Sequence, residues 1–264
     1  MENLVVLNYF PLAKIVMAVF TFVIVAIVIA LTMMHNKQTE ENIAIANIEL
    51  IEANGALHHE AMGALIAPYK AEKEKSMNVV IGEATETIEV GKPESKLTNL
   101  IADILLTEAR KYVPDVDMAV TNIGGIRRSL YKGDITIGDV FEILPFDNAL
   151  LVFEYKGKDI LALADAIAQK GGESIAGMTL TINENRAEEV MVNGVAVDST
   201  RIYKVITTDY LSWGNDQLEP LANHLNSTPL NMMMRDAMFD YVTCASINGE
   251  KISAVTDNRI KIKK

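Results

Sequence analysis

TNIGGIRRSL, residues 121–130, places two glycines directly before two arginines. The apolar run before it, VDMAVT at 116–121, is typical of a buried strand. A strand that ends in two glycines can turn sharply and direct successive backbone N–H groups toward one point, where they attract an anion. An arginine beside such a turn adds a planar group that matches carboxylate or phosphate oxygens. The stretch therefore predicts either an anion-binding turn at the end of a strand or a plain turn with solvated arginines.

Alternating strand-like and helix-like segments flank this turn. Apolar residues spaced three and four apart predict helices, and short β-branched runs predict strands. The predicted helices are 96–112, 159–169 and 230–246, and the predicted strands are 79–90, 149–155, 202–208 and 259–262, with a hairpin over 189–197 around Asn193-Gly194. The segments do not follow a strict βα repeat. This order predicts an α+β domain with a mixed β-sheet and packed helices.

The composition restricts the class of ligand. The chain has 264 residues and a net charge of −11, which argues against a nucleic-acid partner because phosphate backbones require clustered positive charge. The single cysteine, Cys244, is expected to be a small buried apolar residue. None of the usual histidine or cysteine spacings of metal sites occurs, so no metal-ligating residue is predicted in this chain.

The N-terminal part contains an uncharged apolar segment, IVMAVFTFVIVAIVIALTMM, at 15–34. A helix of this length crosses a hydrocarbon layer of about 30 Å. It predicts an uncleaved membrane anchor or, alternatively, a cleavable signal segment. Either way the remainder is expected to be exported, on a periplasmic or extracellular face, and secreted if the segment is cleaved. We assign 1–34 to the anchor or signal segment, 35–64 to a tether helix and 65–264 to the globular domain.

Two further stretches carry aromatic and polar side chains on predicted loops. Phe146 lies in ILPFDNALL, between a proline and an Asp-Asn pair, and exposed rings can stack on planar ligands. In TTDYLSWGNDQL a strand leads into Tyr210 and then Asp216, and a carboxylate can accept hydrogen bonds from both hydroxyls of a ribose. The alternatives are a loop ring folded back on the core and an aspartate that caps a tight turn.

Four blocks of the sequence together resemble the C-terminal domain of the 5′-nucleotidase family. They are ESKLTNLIADILL, TNIGGIRRSLYKGDITIGDVFEILPFDNALLVFEYKGKDI, YKVITTDYLSWGND and DNRIKI, in family order within about 65–264. The resemblance implies that family's α+β fold and a nucleotide-binding role. It implies that Asn122, Gly124, Gly125 and Arg127 contact the phosphate and neighbouring groups of a nucleotide.

The same resemblance assigns the aromatic stretches to the nucleoside. It implies that Phe146 and Tyr210 form the two sides of a base sandwich, with Asn148 in the Pro-Phe-x-Asn motif, and that Asp216 holds the ribose hydroxyls. The sequence departs from the family at 214–217, which reads Gly-Asn-Asp-Gln instead of Gly-Gly-Asp-Gly. Lys96 stands near the position where some members carry an arginine. The planar guanidinium of those members would here be replaced by the point charge of a lysine ammonium.

Full-length members begin with a metallophosphatase domain that carries Asp-x-His and Gly-Asn-His-Glu motifs, and these 264 residues contain neither. The resemblance thus implies the substrate-recognition half of a split 5′-nucleotidase, with no catalytic residue in this chain. A separately encoded metallophosphatase would supply divalent metals for hydrolysis of a phosphoric monoester. The alternatives are a membrane-anchored, non-catalytic nucleotide-binding or sensing protein and a domain whose pocket has decayed. Whether the chain is part of an enzyme stays open at this point.

Overall fold

The computed structural model describes residues 27, 29, 31–34 and 62–263. The predicted tether helix and most of the predicted anchor lie outside these residues; the six described residues of the anchor segment are helical and exposed. None of the helices in the described part combines the length and the hydropathy required to cross a bilayer. The anchor and the tether therefore stay predictions.

The chain divides into two compact units, Met1–Ala71 and Glu72–Lys264. Helix α1 covers 62–77 and is exposed along almost its whole length. All remaining elements belong to the second unit.

The second unit contains four further helices whose ends follow from local sequence. Helix α2 spans Lys96–Tyr112, as predicted, and begins at a capping box in which Ser95 accepts from the backbone N–H of Thr98 while the Thr98 side chain accepts from Ser95. Helix α3, Ile137–Ile143, begins at a second capping box. Helix α4 spans Gly157–Gln169 and helix α5 spans Met234–Ile247.

The strands of the second unit form three sheets. In chain order the strands are β1 Val80–Ala84, β2 Met118–Thr121, β3 Gly133–Thr136, β4 Ala149–Lys156, β5 Ser174–Ala176, β6 Met178–Asn183, β7 Arg186–Val192, β8 Val195–Ala196, β9 Ile202–Thr208, β10 Ser227–Met233 and β11 Ile260–Ile262. The central sheet has the order β10-β4-β9-β2-β5, a second sheet has the order β11-β6-β7-β8, and β1 pairs with β3. Parallel pairs (β2 with β9, β6 with β11) stand beside antiparallel ones, so the fold is α+β with mixed sheets and packed helices.

The central sheet is covered on both faces, and side-chain alternation along its strands explains why. In β2, Ala119 faces a core made with α2, α3 and α5, whereas Met118 and Val120 face a core made with α4 and the second sheet. In β9, Ile206 and Val205 divide in the same way. Because both faces are apolar and covered, the loops at the ends of the strands are where a ligand can reach the centre of this sheet.

One end of the central sheet gathers four chain segments. Strands β2 and β9 are parallel neighbours, so their carboxyl ends lie at the same edge. Strand β4 runs antiparallel to β9 with Leu150 opposite Thr208, which brings the start of β4 to that edge. Strand β5 runs antiparallel to β2 with Thr121 opposite Ser174, which brings the residues before β5 there as well. We call this the loop edge of the sheet.

Two sequence-based predictions of local structure were wrong. The helix predicted over 230–246 begins only at Met234, because the preceding residues form β10, the outer strand of the central sheet, and pair with β4. An apolar run of this length suits either state, and the available partner strand decides between them. Cys244 is exposed, not buried, because α5 packs through a different face that includes Met238 and Val242.

The hairpin prediction is confirmed. Asn193 and Gly194 have φ values of 51° and 76° and join β7 to β8, with Val192 paired to Val195. Two successive residues with positive φ give the turn whose twist matches that of an antiparallel pair, and Asn-Gly is the sequence that adopts it most readily.

Candidate functional site

A cavity of about 360 Å³ lies at the loop edge, within the usual size range of small-molecule sites. Its walls come from the loops after β2, before β4 and after β9. The lining residues are Asn122, Gly124, Gly125, Arg127, Phe146, Asn148, Tyr210 and Asp216. Eight of the nine residues singled out in the sequence are thus brought together; the exception is Lys96.

The loop after β2 forms a turn of 3-10 helix at Ile123–Gly125. Several N–H groups at this turn bond within the protein: Ile123 donates to Glu173, Gly125 to the carbonyl of Asn122, and Arg127 to the carbonyl of Ile143. These N–H groups are not available to an anion. The Arg127 side chain supplies further donors beside the turn.

Glycine is required at position 125 for space. A Cβ at Gly125 would lie 2.9 Å from the side-chain oxygen of Asn122, closer than real Cβ contacts. Asn122 is 5% exposed, and its amide oxygen has no hydrogen-bond partner among the described residues. Buried acceptors are normally satisfied, so a donor on a bound molecule suits this oxygen. The glycine thus keeps the amide of Asn122 in place beside the cavity.

Arg127 contributes the positive charge of the cavity. Its side chain is exposed, and one guanidinium nitrogen donates to the carbonyl of Gly124 at 3.0 Å. It has no acidic partner within the described part of the chain, whereas the neighbouring Arg128 is paired with Asp139 and Glu142. The remaining N–H donors of Arg127 are available to an anion.

The loop before β4 presents an aromatic ring. Phe146 is 48% exposed and lies on the cavity wall beside Asn148. Arg235 of α5 holds the loop, since its guanidinium donates to the carbonyl of Leu144 at 3.2 Å and to the carboxylate of Asp147 at 2.6 Å. The same guanidinium lies 4.1 Å from the ring centre of Phe141. Phe146 is therefore exposed on an anchored loop and does not fold back on the core.

The loop after β9 presents the second ring, Tyr210, which is 42% exposed. Asp209 ties this loop to the preceding one: its carboxylate accepts from the N–H of Ala149 at 3.1 Å and from the N–H of Tyr210 at 2.8 Å. The N–H of Asp209 donates in turn to the carbonyl of Ala149 at 2.9 Å. The two loops that carry Phe146 and Tyr210 are thereby connected directly.

Asp216 stands between Tyr210 and Asn122. One carboxylate oxygen accepts from the Tyr210 hydroxyl at 3.0 Å, and the other accepts from the side-chain amide of Asn122. The hydrogen bond from Tyr210 to Asp216, together with the negative charge of Asp216, raises the pKa of the Tyr210 hydroxyl above its ordinary value. Each carboxylate oxygen can accept more than one hydrogen bond, so Asp216 retains acceptor capacity toward the cavity.

The loop at 214–217 has the left-handed backbone conformations typical of glycine, although it contains fewer glycines than the family pattern. Gly214, Asp216 and Gln217 have φ values of 80°, 57° and 60°. Left-handed conformations are costly for side-chain-bearing residues other than Asn and Asp, so Gln217 is strained. Other contacts must hold this loop in place.

Lys96 lies outside the cavity. Its ammonium is 2.5 Å from the carboxylate of Glu86, and it lines a different depression with Thr87, Glu89 and Ser95. Any phosphate contact by Lys96 stays a prediction from the resemblance, without support from its position.

Sequence reasoning missed four residues that hold the cavity together: Asp209, Arg235, Lys170 and Glu173. Their roles depend on pairing between distant segments, which no local spacing announces. A weak signal existed for Asp209, because a carboxylate directly after a β-strand often binds free N–H groups of the adjoining loop.

The described residues include no group of three or more His, Cys, Asp or Glu side chains arranged to hold a metal ion. The donor set for a two-metal hydrolytic centre is thus missing from this part of the chain. We derive no hydrolytic step from its residues.

Comparison with known proteins identifies the family. Residues 80–224 match the family model of the 5′-nucleotidase C-terminal domain. The trifunctional nucleotide phosphoesterase protein YfkN of Bacillus subtilis is 30% identical over 214 residues, 73% of this chain and 14% of that protein. A 5′-nucleotidase of Vibrio vulnificus is 27% identical over 169 residues, 60% of this chain and 30% of that protein.

A solved structure also matches the fold of this chain. The 5′-nucleotidase precursor from Thermus thermophilus superposes with a TM-score of 0.65 at 28% identity, covering 77% of this chain and 42% of that one. The chain spans less than a third of the length of the two curated relatives named above. The match is thus to one domain of larger proteins, and the chain belongs to the family of 5′-nucleotidase C-terminal domains.

Proposed function

We propose that the cavity binds a nucleotide or nucleoside, and that the chain is the recognition half of a split 5′-nucleotidase. The observation that carries the proposal is the convergence of two half-exposed rings, one carboxylate and one unpaired guanidinium on a single cavity. Each of these groups matches a different part of a nucleotide.

The base would lie between the rings of Phe146 and Tyr210. Both rings line the cavity and are half exposed on loops that Arg235 and Asp209 hold in place. Every nucleobase has a flat π-face, so stacking favours bases as a class. Asn148 borders the same wall and can offer both a donor and an acceptor to a base edge.

The ribose and phosphate would lie toward the other wall. Asp216 would accept hydrogen bonds from the ribose hydroxyls, with Asn122 and Tyr210 holding its carboxylate. Arg127, beside Gly124 and Gly125, would bind the phosphate. A guanidinium suits this role because its planar donors match phosphate oxygens and its charge is permanent.

Hydrolysis is assigned to a partner. A separately encoded metallophosphatase would dock on this chain and supply the divalent metals and the attacking water, while the cavity described here would position the nucleotide. Relatives that span about three to seven times the matched length, and whose names include nucleotide phosphoesterase and 5′-nucleotidase, support this division. The apolar segment 15–34 supports export of the domain, anchored at a membrane or secreted after cleavage.

A second candidate is a non-catalytic nucleotide-binding or sensing protein, which would use the same cavity and need no partner. Adding a metallophosphatase domain from the same source separates the two. Phosphate release from AMP that exceeds the phosphatase's own rate supports the split enzyme, and an unchanged rate supports the sensor.

Calorimetry with adenosine and AMP tests the binding proposal. The full chain in mild detergent is expected to bind both. Arg127→Gln should weaken AMP binding by about tenfold, the effect of losing a charge-assisted hydrogen bond, and leave adenosine nearly unchanged. Arg186→Gln, at the start of β7, is the matched control. Equal loss for both ligands would contradict the assignment of Arg127 to the phosphate.

A further inference from the structure

We propose that Lys170 and Glu173 are positioning residues that brace the two walls of the cavity against each other. Neither residue lines the cavity. The proposal rests on the function proposed above for the identity of the ligand, but the brace itself is a property of the protein alone.

The brace consists of two hydrogen bonds joined by an ion pair. Glu173 accepts from the N–H of Ile123 at 2.5 Å through one carboxylate oxygen, and its other carboxylate oxygen lies 2.5 Å from the ammonium of Lys170. The ammonium of Lys170 also donates to the backbone carbonyl of Asp216 at 2.5 Å. The turn that carries Asn122, Gly124 and Gly125 is thereby linked to the loop that carries Asp216.

Both members of the pair are shielded from water. Glu173 is 2% exposed, and the Lys170 side chain is 14% exposed. A carboxylate at such a depth requires partners for both oxygens, and it has them in Ile123 and Lys170. Since the pair is poorly screened, it fixes distances more firmly than an ion pair on the surface would.

The turn that carries the pair is itself fixed. The ammonium of Lys92 donates to the carbonyl of Lys170 at 2.5 Å. Gly172 packs directly on the backbone of Pro93, where a side chain would collide. Antiparallel pairing of β5 with β2 sets Ser174 opposite Thr121, so Glu173 falls beside the start of the turn after β2.

The loop at 214–217 needs such support. Gln217 has a left-handed backbone conformation that is costly for its residue type, so local preference alone does not maintain the loop. Two contacts hold the Asp216 side chain, from Asn122 and Tyr210, but Lys170 holds its backbone. Removing Lys170 should release the Asp216 loop while Phe146, on a loop anchored by Arg235, stays in place.

Hydrogen exchange without ligand tests the brace directly. In Lys170→Met, amides of 210–218 should exchange about tenfold faster than in the wild type, as expected for loss of a hydrogen bond to a charged group. Lys111→Met is the control, because Lys111 also forms an ion pair with a buried glutamate three residues away, Glu108 on α2, and does not line the cavity. Unchanged exchange in 210–218 would overturn the proposal whether or not a nucleoside binds.

A pair of ligands then separates positioning from general loss of stability. Lys170→Met should lower the affinity for adenosine by about tenfold but that for 2′,3′-dideoxyadenosine by less than about twofold, because only adenosine has the hydroxyls that Asp216 would hold. Lys170→Arg should restore much of the adenosine affinity. An equal loss for the two ligands would contradict a positioning role.

The outcomes for the brace and for the proposed function are distinct. If the wild-type protein binds neither nucleoside, the proposed function fails and the exchange comparison still decides on the brace. If Lys170→Met does not fold, Lys170→Gln takes its place in both comparisons, with thermal unfolding close to that of the wild type as the criterion.

Discussion

Asp216 shows at the scale of one residue how the cavity is held in the absence of ligand. Its carboxylate accepts from Tyr210 and from Asn122, two residues that belong to different loops. A ribose diol would add to these hydrogen bonds and need not replace them, because each oxygen has a second lone pair. In the proposed complex, the two loops would therefore hold Asp216 in place before the nucleoside binds.

Replacing Asp216 by asparagine should lower the pKa of Tyr210 toward the ordinary phenol value of about 10, because the negative charge that opposes ionisation is removed. The raised pKa means that the hydrogen bond stabilises the fold below pH of about 10 and that this contribution is lost as the pH rises through the folded-state pKa. A pH titration by NMR with ¹³C-labelled tyrosine measures the shift. Asp147→Asn, an exposed carboxylate paired with Arg235, is the control. An unchanged Tyr210 pKa in Asp216→Asn would contradict the conclusion that Asp216 raises the pKa of Tyr210.

Gln217→Gly should stabilise the protein by about 0.5–1 kcal/mol. The gain is the relief of the left-handed strain at φ 60°, reduced by the greater freedom of glycine in the unfolded chain. Urea unfolding at constant m-value measures it. The matched control is Gln169→Gly at the end of α4, which has no positive φ to relieve and should destabilise. A loss of stability in Gln217→Gly would show that its side chain makes an unrecognised contribution.

Among the elements, helix α5 holds the loop before β4, and the exposed position of the Phe146 ring depends on this anchoring. Arg235→Met removes contacts to Leu144 and Asp147 and should weaken adenosine binding about three- to tenfold by loosening Phe146, as expected for one or two hydrogen bonds. Calorimetry measures the change.

The control for this variant is Arg201→Met. Arg201 makes comparable contacts: an ion pair with Asp117 at 2.7 Å, and a guanidinium 4.7 Å from the ring centre of Tyr203. It lies before β9, at the end of the central sheet opposite the loop edge. Similar losses in both variants would mean that Arg235 acts on general stability and not on the loop.

Some of these elements could be predicted from the sequence and others could not. Helix α2, the β7–β8 hairpin and strand β9 follow from periodicity and turn residues, which are local signals. The turn after β2 does not: several of its N–H groups bond to Glu173 and to carbonyls, and the contact with Glu173 depends on pairing across the sheet. The cavity residues became recognisable through the family resemblance, whereas Lys170 and Glu173 required the register of β5 against β2.

At the scale of the whole molecule, charge and local structure have opposite effects on a phosphate. The chain carries a net charge of −11, which disfavours an anionic ligand at long range, while Arg127 attracts it at short range. Added salt screens the long-range repulsion more than the contact itself. Raising ionic strength from about 0.01 M to 0.15 M should therefore weaken AMP binding less than it would for a positively charged protein, and leave adenosine binding unchanged. A steep loss of AMP affinity with salt would contradict a single-arginine phosphate contact.

The most direct measurement is calorimetric titration of adenosine into the full-length chain and into Phe146→Ala and Tyr210→Ala. Each variant is expected to bind about tenfold or more weakly than the wild type, as for the loss of one stacked ring. The control is Trp213→Ala. The Trp213 ring is 80% exposed on the same loop as Tyr210 but lies outside the cavity lining, so this variant is expected to bind like the wild type. Wild-type binding that survives both ring truncations unchanged would contradict a base held between Phe146 and Tyr210.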